Sequence, residues 1–223
     1  MIKHNKNSRF VHLVRHGEVD NPEGVLYGRI PGFKLSERGH MMAQLAADHL
    51  ADSGRKIGAL YASPLLRAQQ SAQPFAEKFG LEVNSAGALI EPKNKFEGMR
   101  TRGVRAALQD PAQWPKLWNP LLPSWGEPYA RIARRATRFM DYALQEVEAC
   151  QIPGDVVLVS HQAVIWVAHR KLNGLPLPHN PAKRRCELSS VTTFEKRYGR
   201  WREVAYVSPA QGLIVSGKDT GAV

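Results

Sequence analysis

Apolar positions along the chain recur in two alternating periods, and the alternation predicts an ordered series of strands and helices. Phe10 to Val14 is a β-favouring run interrupted only by His12 and predicts a first strand. The stretch from Asp20 to Leu35, rich in glycine and proline, reads as a loop. Met41, Met42, Leu45, Ala46, His49 and Leu50 then recur at helical spacing, so Ser36 and Glu37 open a helix that Gly54 closes. Ile57 to Ala62 predicts a second strand. Ser63-Pro64 supplies a cap and a proline at the first helical position for a helix running from Pro64 to Phe79 and ending at Gly80.

A short extended piece is expected near Leu81 to Val83, followed by a loop carrying Glu91. Residues 110–128 hold three tryptophans and five prolines, and this irregular stretch reads as an insertion around 99–128. Two readings stand for its tryptophans Trp114, Trp118 and Trp125, with Trp166 beyond them: a lid over a pocket, or aromatic packing of a long loop onto the core. From Pro128 to Ala149, Ile132, Ala136, Phe139, Met140, Ala143, Leu144 and Val147 mark an amphipathic helix with arginines on its other face. Val156 to Val159 is apolar throughout, as in a strand buried on both faces, and leads through Ser160 to His161 and another helical segment. Ser190 to Glu195 and Trp201 to Val207 predict a closing antiparallel pair, with a mobile tail from residue 208. Strands alternating with helices predict one α/β domain over residues 1–223. The expected form is a three-layer α/β/α sandwich on a mostly parallel central sheet.

Composition narrows the function classes. A chain of 223 residues with 43% hydrophobic positions buries a core large enough to need no disulfide or structural metal. Cys150 and Cys186 form no CxxC pair and predict free thiols in a reducing compartment. The sequence has no apolar leader and no run of about 20 apolar residues, so a soluble, cytoplasmic protein without membrane contact is expected. The net charge of +11 is shared by nucleic-acid binders and by enzymes of small anions. Its two clusters, Arg131 to Arg138 and Lys183-Arg184-Arg185, lack the interleaved aromatics of a single-strand platform, so they read as solvated faces and no nucleic-acid partner is expected. The oligomeric state is not legible, a dimer being one option. His40, His49 and His169 show no metal-ligand pattern, and no metal or cofactor is expected.

Three predicted strand ends carry chemistry. Arg15-His16-Gly17-Glu18 closes the first strand, Arg67 lies in the first turn after the second, and His161 follows the strand at 156–159. Alone, the first string also fits an ordinary surface turn. With the others it places a neutral-range imidazole between guanidiniums at the carboxyl edge of a sheet, where α/β sites form. Gly17 is expected to keep the backbone slim for a ligand. The arginines are expected to keep His16 unprotonated, with a carbonyl fixing its tautomer.

The chain resembles the histidine phosphatase superfamily, the phosphoglycerate mutase-like family, over most of its length. The resemblance rests on Leu13-Val14-Arg15-His16-Gly17-Glu18, on Leu35-Ser36-Glu37-Arg38-Gly39 and on Ser63-Pro64-Leu65-Leu66-Arg67-Ala68-Gln69-Gln70-Ser71. Further matches are Glu91 with Phe96-Glu97-Gly98, Gly126-Glu127 with Arg135, and Val157-Leu158-Val159-Ser160-His161. It implies a phosphoglycerate mutase-like fold and a small phosphorylated substrate. His16 would be the nucleophile, Arg15, Arg67 and His161 the phosphate ligands, and Glu91 the proton donor; Asn21 is a further phosphate ligand to consider, while Glu18 is structural. Three departures bear on the reaction. Val19 and Pro22 replace the family's usual residues after Glu18, Gln162 stands where glycine usually follows the second histidine, and Glu91 is followed by Pro92-Lys93-Asn94-Lys95 rather than the Arg-His-Tyr-Gly run of phosphoglycerate mutases. The last favours a metal-independent phosphomonoesterase working through phosphohistidine, ahead of a mutase and of a phosphate-binding module with little turnover.

Overall fold

The structure is a computed structural model and describes residues 9–99 and 126–214. Strands β1 (Phe10–Arg15), β2 (Ile57–Ala62), β3 (Asn84–Ser85), β4 (Asp155–Ser160), β5 (Val191–Arg197) and β6 (Arg200–Val207) form one sheet in the order β3-β2-β4-β1-β5-β6. Its β3-β2-β4-β1 half is parallel, and β5 and β6 add antiparallel. Helices α1 (Glu37–Asp52) and α2 (Leu66–Phe79) cover one face, and α3 (Tyr129–Ala149) and α4 (Gln162–Leu172) cover the other. This is the expected three-layer α/β/α arrangement.

Both faces of the parallel strands are closed off from water, which is why β4 is apolar from Val156 to Val159 rather than alternating. Val156 and Leu158 pack under α3 and α4, while Val157 and Val159 pack under α1 and α2. Phe75 and Phe194 are fully buried on opposite faces, each worth about 1.5–3 kcal/mol relative to exposure.

Several local expectations shift. The buried stripe of α1 is Gly39, Met42, Ala43, Ala46, Ala47 and Leu50, leaving Met41 and Leu45 52% and 39% exposed. Ala46, which the spacing picked out, and Ala47, which it passed over, pack with Ala68, Ala72 and Phe75 of α2. Helix α2 starts at Leu66 rather than Pro64, and Ser63 does not cap it. Proline biases the residue before it toward extended backbone, and the Ser63 hydroxyl is engaged by His161. The strand near Leu81 to Val83 falls instead at Asn84–Ser85, because Leu81 and Val83 turn inward against the α2 side of the core. The tail is not mobile at 208: Ala210 is fully buried and Leu213 and Ile214 pack with it against Met42 and Leu188. The tryptophans at 114, 118 and 125, most of the expected insertion, and the chain beyond 214 lie outside the described residues. Trp166 belongs to α4, where it stacks on His169.

Gly17 owes its identity to packing rather than to ligand access. A Cβ there would stand 2.3 Å from the Gly39 carbonyl oxygen, and a Cβ on Gly39 would stand 2.0 Å from that of Glu18. The first turn of α1 therefore lies directly on the segment after β1. Ser36 fixes that docking, accepting from the Gly39 N–H at 3.0 Å while donating to Glu18 Oε1 at 2.8 Å; Arg38 holds the other Glu18 oxygen at 3.2 Å. Gly39→Ala is expected to cost about 1–3 kcal/mol or more through this backbone clash, read as a lower denaturant midpoint at unchanged slope. A midpoint equal to that of the unsubstituted protein would show that the turn gives way freely.

Candidate active site

The site grows from strand register. Arg15 pairs with Ser160 across β1 and β4, and Ala62 pairs with Val159 across β2 and β4. The next residues, Ser63, His161 and His16, thus emerge in one row from three neighbouring strands, tied by His16 N–H to Ser160 O at 3.1 Å and Ser63 N–H to Val159 O at 2.9 Å. The His16 and His161 rings lie 5.2 Å apart between centroids.

His16 donates from Nδ1 to the Gly17 carbonyl at 2.8 Å. A carbonyl only accepts, so the proton sits on Nδ1 and Nε2 carries the lone pair. Burial, then Arg67 and Arg15, hold the His16 pKa well below 6.5. The expectation of a depressed pKa stands, although burial outranks the arginines as its cause.

His161 is fully buried and likewise held neutral, by burial first and then by Arg67, His16 and Arg15. Its Nε2 lies 2.7 Å from Ser63 Oγ, which also accepts from the Leu65 N–H at 3.4 Å. That contact leaves the hydroxyl proton free to point at Nε2, the arrangement in which the ring proton is on Nδ1. This N–H has no hydrogen-bond partner and lies 3.6 Å from Glu91 Oε2, itself unpartnered.

Arg15 donates from Nη1 to the Cys186 carbonyl at 2.6 Å. Arg67, in the first turn of α2, donates from Nη2 to the Gly28 carbonyl at 2.8 Å and stacks over the Tyr27 ring at 4.6 Å, while its Nε has no partner. Ser71 ties the α2 turn to the nucleophile segment, donating to Arg67 O at 2.7 Å and accepting from the Gly17 N–H at 3.0 Å. Both guanidiniums are almost fully buried, and Arg67 rests on a neutral carbonyl and a ring, which favours an anion beside it.

Glu91 is buried beside them, and burial pushes its carboxyl up from 4.5 against the pull of Arg67, Arg184, Arg15 and Arg135. Its loop is held from several directions. Ser160 Oγ donates to Leu89 O at 2.7 Å, Arg29 Nε to Glu91 O, and Arg135 Nη1 to Ala88 O at 2.6 Å, with Arg135 also gripping both Glu127 oxygens at 3.0 Å. Arg135 therefore belongs to the scaffold of the site, not to the solvated face read from its cluster.

Of the expected site residues, Arg15, His16, Arg67, Glu91 and His161 converge. Asn21 stands apart, with both ends of its amide holding the backbone of Val25 at 2.8 and 3.0 Å. His12 is a core residue at the opposite end of β1, bonded to Thr193 and Asp155. The arginines at 100, 102 and 105 lie outside the described residues. Sequence reading missed Ser63, whose hydroxyl is hydrogen-bonded to the His161 ring, and Arg184, which turns inward from its basic cluster. Only the position of Ser63 at a strand end hinted at the first, and nothing in the loop composition hinted at the second.

The histidine phosphatase superfamily (branch 1) model matches residues 11–209. An uncharacterized protein of Mycobacterium tuberculosis is 46% identical over 203 residues, covering 90% of this chain and 96% of its own. A 2,3-bisphosphoglycerate-dependent phosphoglycerate mutase of Thermoplasma acidophilum is 40% identical over 80 residues, covering 35% of this chain and 39% of its own. Among solved structures, a mycobacterial glucosyl-3-phosphoglycerate phosphatase superposes with a TM-score of 0.70 at 26% identity, covering 88% of this chain and 97% of its own. The phosphoserine phosphatase of Entamoeba histolytica shares the fold, with a TM-score of 0.72 at 23% identity over 92% of this chain and all of its own. With the motifs, the fold and the convergent histidines agreeing over the matched length, this chain belongs to the histidine phosphatase superfamily.

Proposed function

We propose that the protein is a phosphomonoesterase that works through a phosphohistidine on His16, using its own arginines for charge stabilisation. The observation that carries this reading is the Nε2 lone pair of His16, held unprotonated by burial and by the hydrogen bond to Gly17 between two buried guanidiniums. Nε2 attacks phosphorus and the ester P–O bond breaks. The leaving oxygen takes its proton from Glu91, whose burial favours the protonated acid. Water then attacks the phosphohistidine, giving its proton to the Glu91 carboxylate and releasing inorganic phosphate and neutral His16. Arg15, Arg67 and the Nδ1–H of His161 surround the charge on the transferring group, the main task in phosphoryl transfer. The structural likeness to a glucosyl-3-phosphoglycerate phosphatase supports hydrolysis. The local match to a phosphoglycerate mutase keeps a primed mutase as the second reading.

A panel of monoesters assayed for inorganic phosphate, beside a phosphoglycerate interconversion assay with bisphosphate primer, separates the two. Rapid interconversion with negligible hydrolysis would favour the mutase. Incubation with labelled substrate and rapid acid-free quench is expected to leave acid-labile phosphate on the wild type and none on His16→Ala. Arg67→Ala is expected to lower kcat by about 10²–10³-fold. Wild-type protein that never acquires label would leave only phosphate binding.

The pH profile follows from two opposed shifts. His16 must be neutral, so activity falls on the acid side with a midpoint below 6.5. Glu91 must carry its proton, so activity falls on the alkaline side with a midpoint above 4.5. Glu91→Gln is expected to remove the alkaline limb and lower kcat by about 10²–10⁴-fold. An alkaline limb persisting in that variant would assign the acid to another group.

A further inference from the structure

Arg184 sits where its local sequence gives no reason to expect it. It lies just after a 3₁₀ turn at Pro181–Lys183, flanked by the exposed Lys183 and Arg185. Instead of reaching into solvent it folds toward Glu91. Its Nε donates to His179 Nε2 at 3.0 Å and its Nη1 to Gln162 Oε1 at 3.4 Å, with Tyr129 as a further hydrogen-bond partner. His179 is set to accept, because its Nδ1 donates to the Leu177 carbonyl at 2.7 Å, and its ring packs 4.9 Å from that of Tyr129. These partners are neutral, and among the described residues no carboxylate forms an ion pair with Arg184. The carboxyl within electrostatic reach, Glu91, is itself pushed toward its neutral form.

A guanidinium withdrawn from water onto neutral groups is costly unless an anion completes it. Arg67 shows the same arrangement on the phosphate side of the site. Arg184 also lines a cavity with Glu91, Lys93, Tyr129 and Ala163, and with Glu127, whose charge Arg135 and Arg29 already pair. In the proposed reaction Glu91 protonates the leaving oxygen, so substituents on the carbon bearing that oxygen enter this cavity. A single guanidinium fork with its positions fixed by neutral partners matches the two coplanar oxygens of a carboxylate.

We propose that Arg184, positioned by His179, Gln162 and Tyr129, is a specificity-determining residue that binds a carboxylate on the leaving group, selecting phosphomonoesters that carry an acid close to the ester oxygen. The assignment rests on the phosphatase reading for the identity of the leaving-group side. It also accounts for Gln162, whose amide oxygen helps hold the guanidinium.

Phosphoserine and phosphoethanolamine differ only by a carboxylate and serve as the probe pair. In full-chain His16→Ala, where turnover is blocked, calorimetry is expected to give phosphoserine at least tenfold tighter binding. Adding Arg184→Met is expected to collapse that ratio to near one. Arg184→Lys, which keeps the cation without the planar fork, is expected to give an intermediate ratio, and it carries the test if the methionine variant does not fold. Equal affinity for both probes with Arg184 intact, or a ratio that survives both substitutions, would overturn the assignment. Tenfold discrimination in a wild type that releases no phosphate would instead retain Arg184 and sink the hydrolase reading.

Discussion

The site depends on one constraint, the parallel register of β1 against β4. Side chains alternate across a strand, so a slip of one residue would exchange the faces of Val11, Leu13 and Val14 and separate His16 from His161. The apolar residues on both sides of both strands prevent that slip. Core packing and catalytic geometry are therefore set together: the pairing that buries Val157 and Val159 also brings two imidazoles within 5.2 Å at the sheet edge. The clash of any side chain at Gly17 or Gly39 then fixes α1 on the segment carrying the nucleophile.

Burial governs the electrostatics that follow. It is the largest cause of the depressed pKa of both histidines and of the raised pKa of Glu91; the arginines reinforce the first two shifts and oppose the third. Arg67 Nε, His161 Nδ1 and Glu91 Oε2 are among the buried polar atoms left without hydrogen-bond partners, which is where a phosphate ester could satisfy them. The residues that hold the surrounding segments are paired, as in the Glu127 grip on Arg135 and the Glu18 contacts with Ser36 and Arg38.

What the sequence made legible was local. Apolar runs at 57–62 and 156–159, the histidines at strand ends and the glycine and proline breaks all act through neighbours in the chain, so strands, helices and four of the converging site residues could be read directly, while Glu91 is singled out by the family resemblance alone. The errors arose where tertiary contacts overrode local preference. Ser63 has the composition of a helix cap but gives its hydroxyl to His161, 98 positions away. Arg135 and Arg184 sit in runs that look solvated, yet each is drawn inward by partners on other elements. Asn21 carries the right functional group for an anion, but its own turn engages it first.

The loop from His179 to Ser190 deserves its place in the chemistry for a mechanical reason. Cys186 gives its carbonyl to Arg15, Ser190 accepts from the Arg15 backbone and Ser189 from its own N–H reaches the His16 carbonyl at 3.3 Å, while Arg184 turns toward Glu91. Ser189 holds a left-handed backbone at φ 53°, a conformation that non-glycine residues adopt only when their surroundings impose it. One strained, anchored loop thus supports Arg15, His16 and the guanidinium of Arg184. A change in that loop that moved Arg184 would also disturb Arg15, because only Arg185 separates Arg184 from the Cys186 carbonyl. On the proposed mechanism, leaving-group selection and stabilisation of the transferring group would for that reason be coupled, and variation in leaving-group preference is best sought in the side chains that orient Arg184, at 129, 162 and 179, rather than in the backbone that carries it.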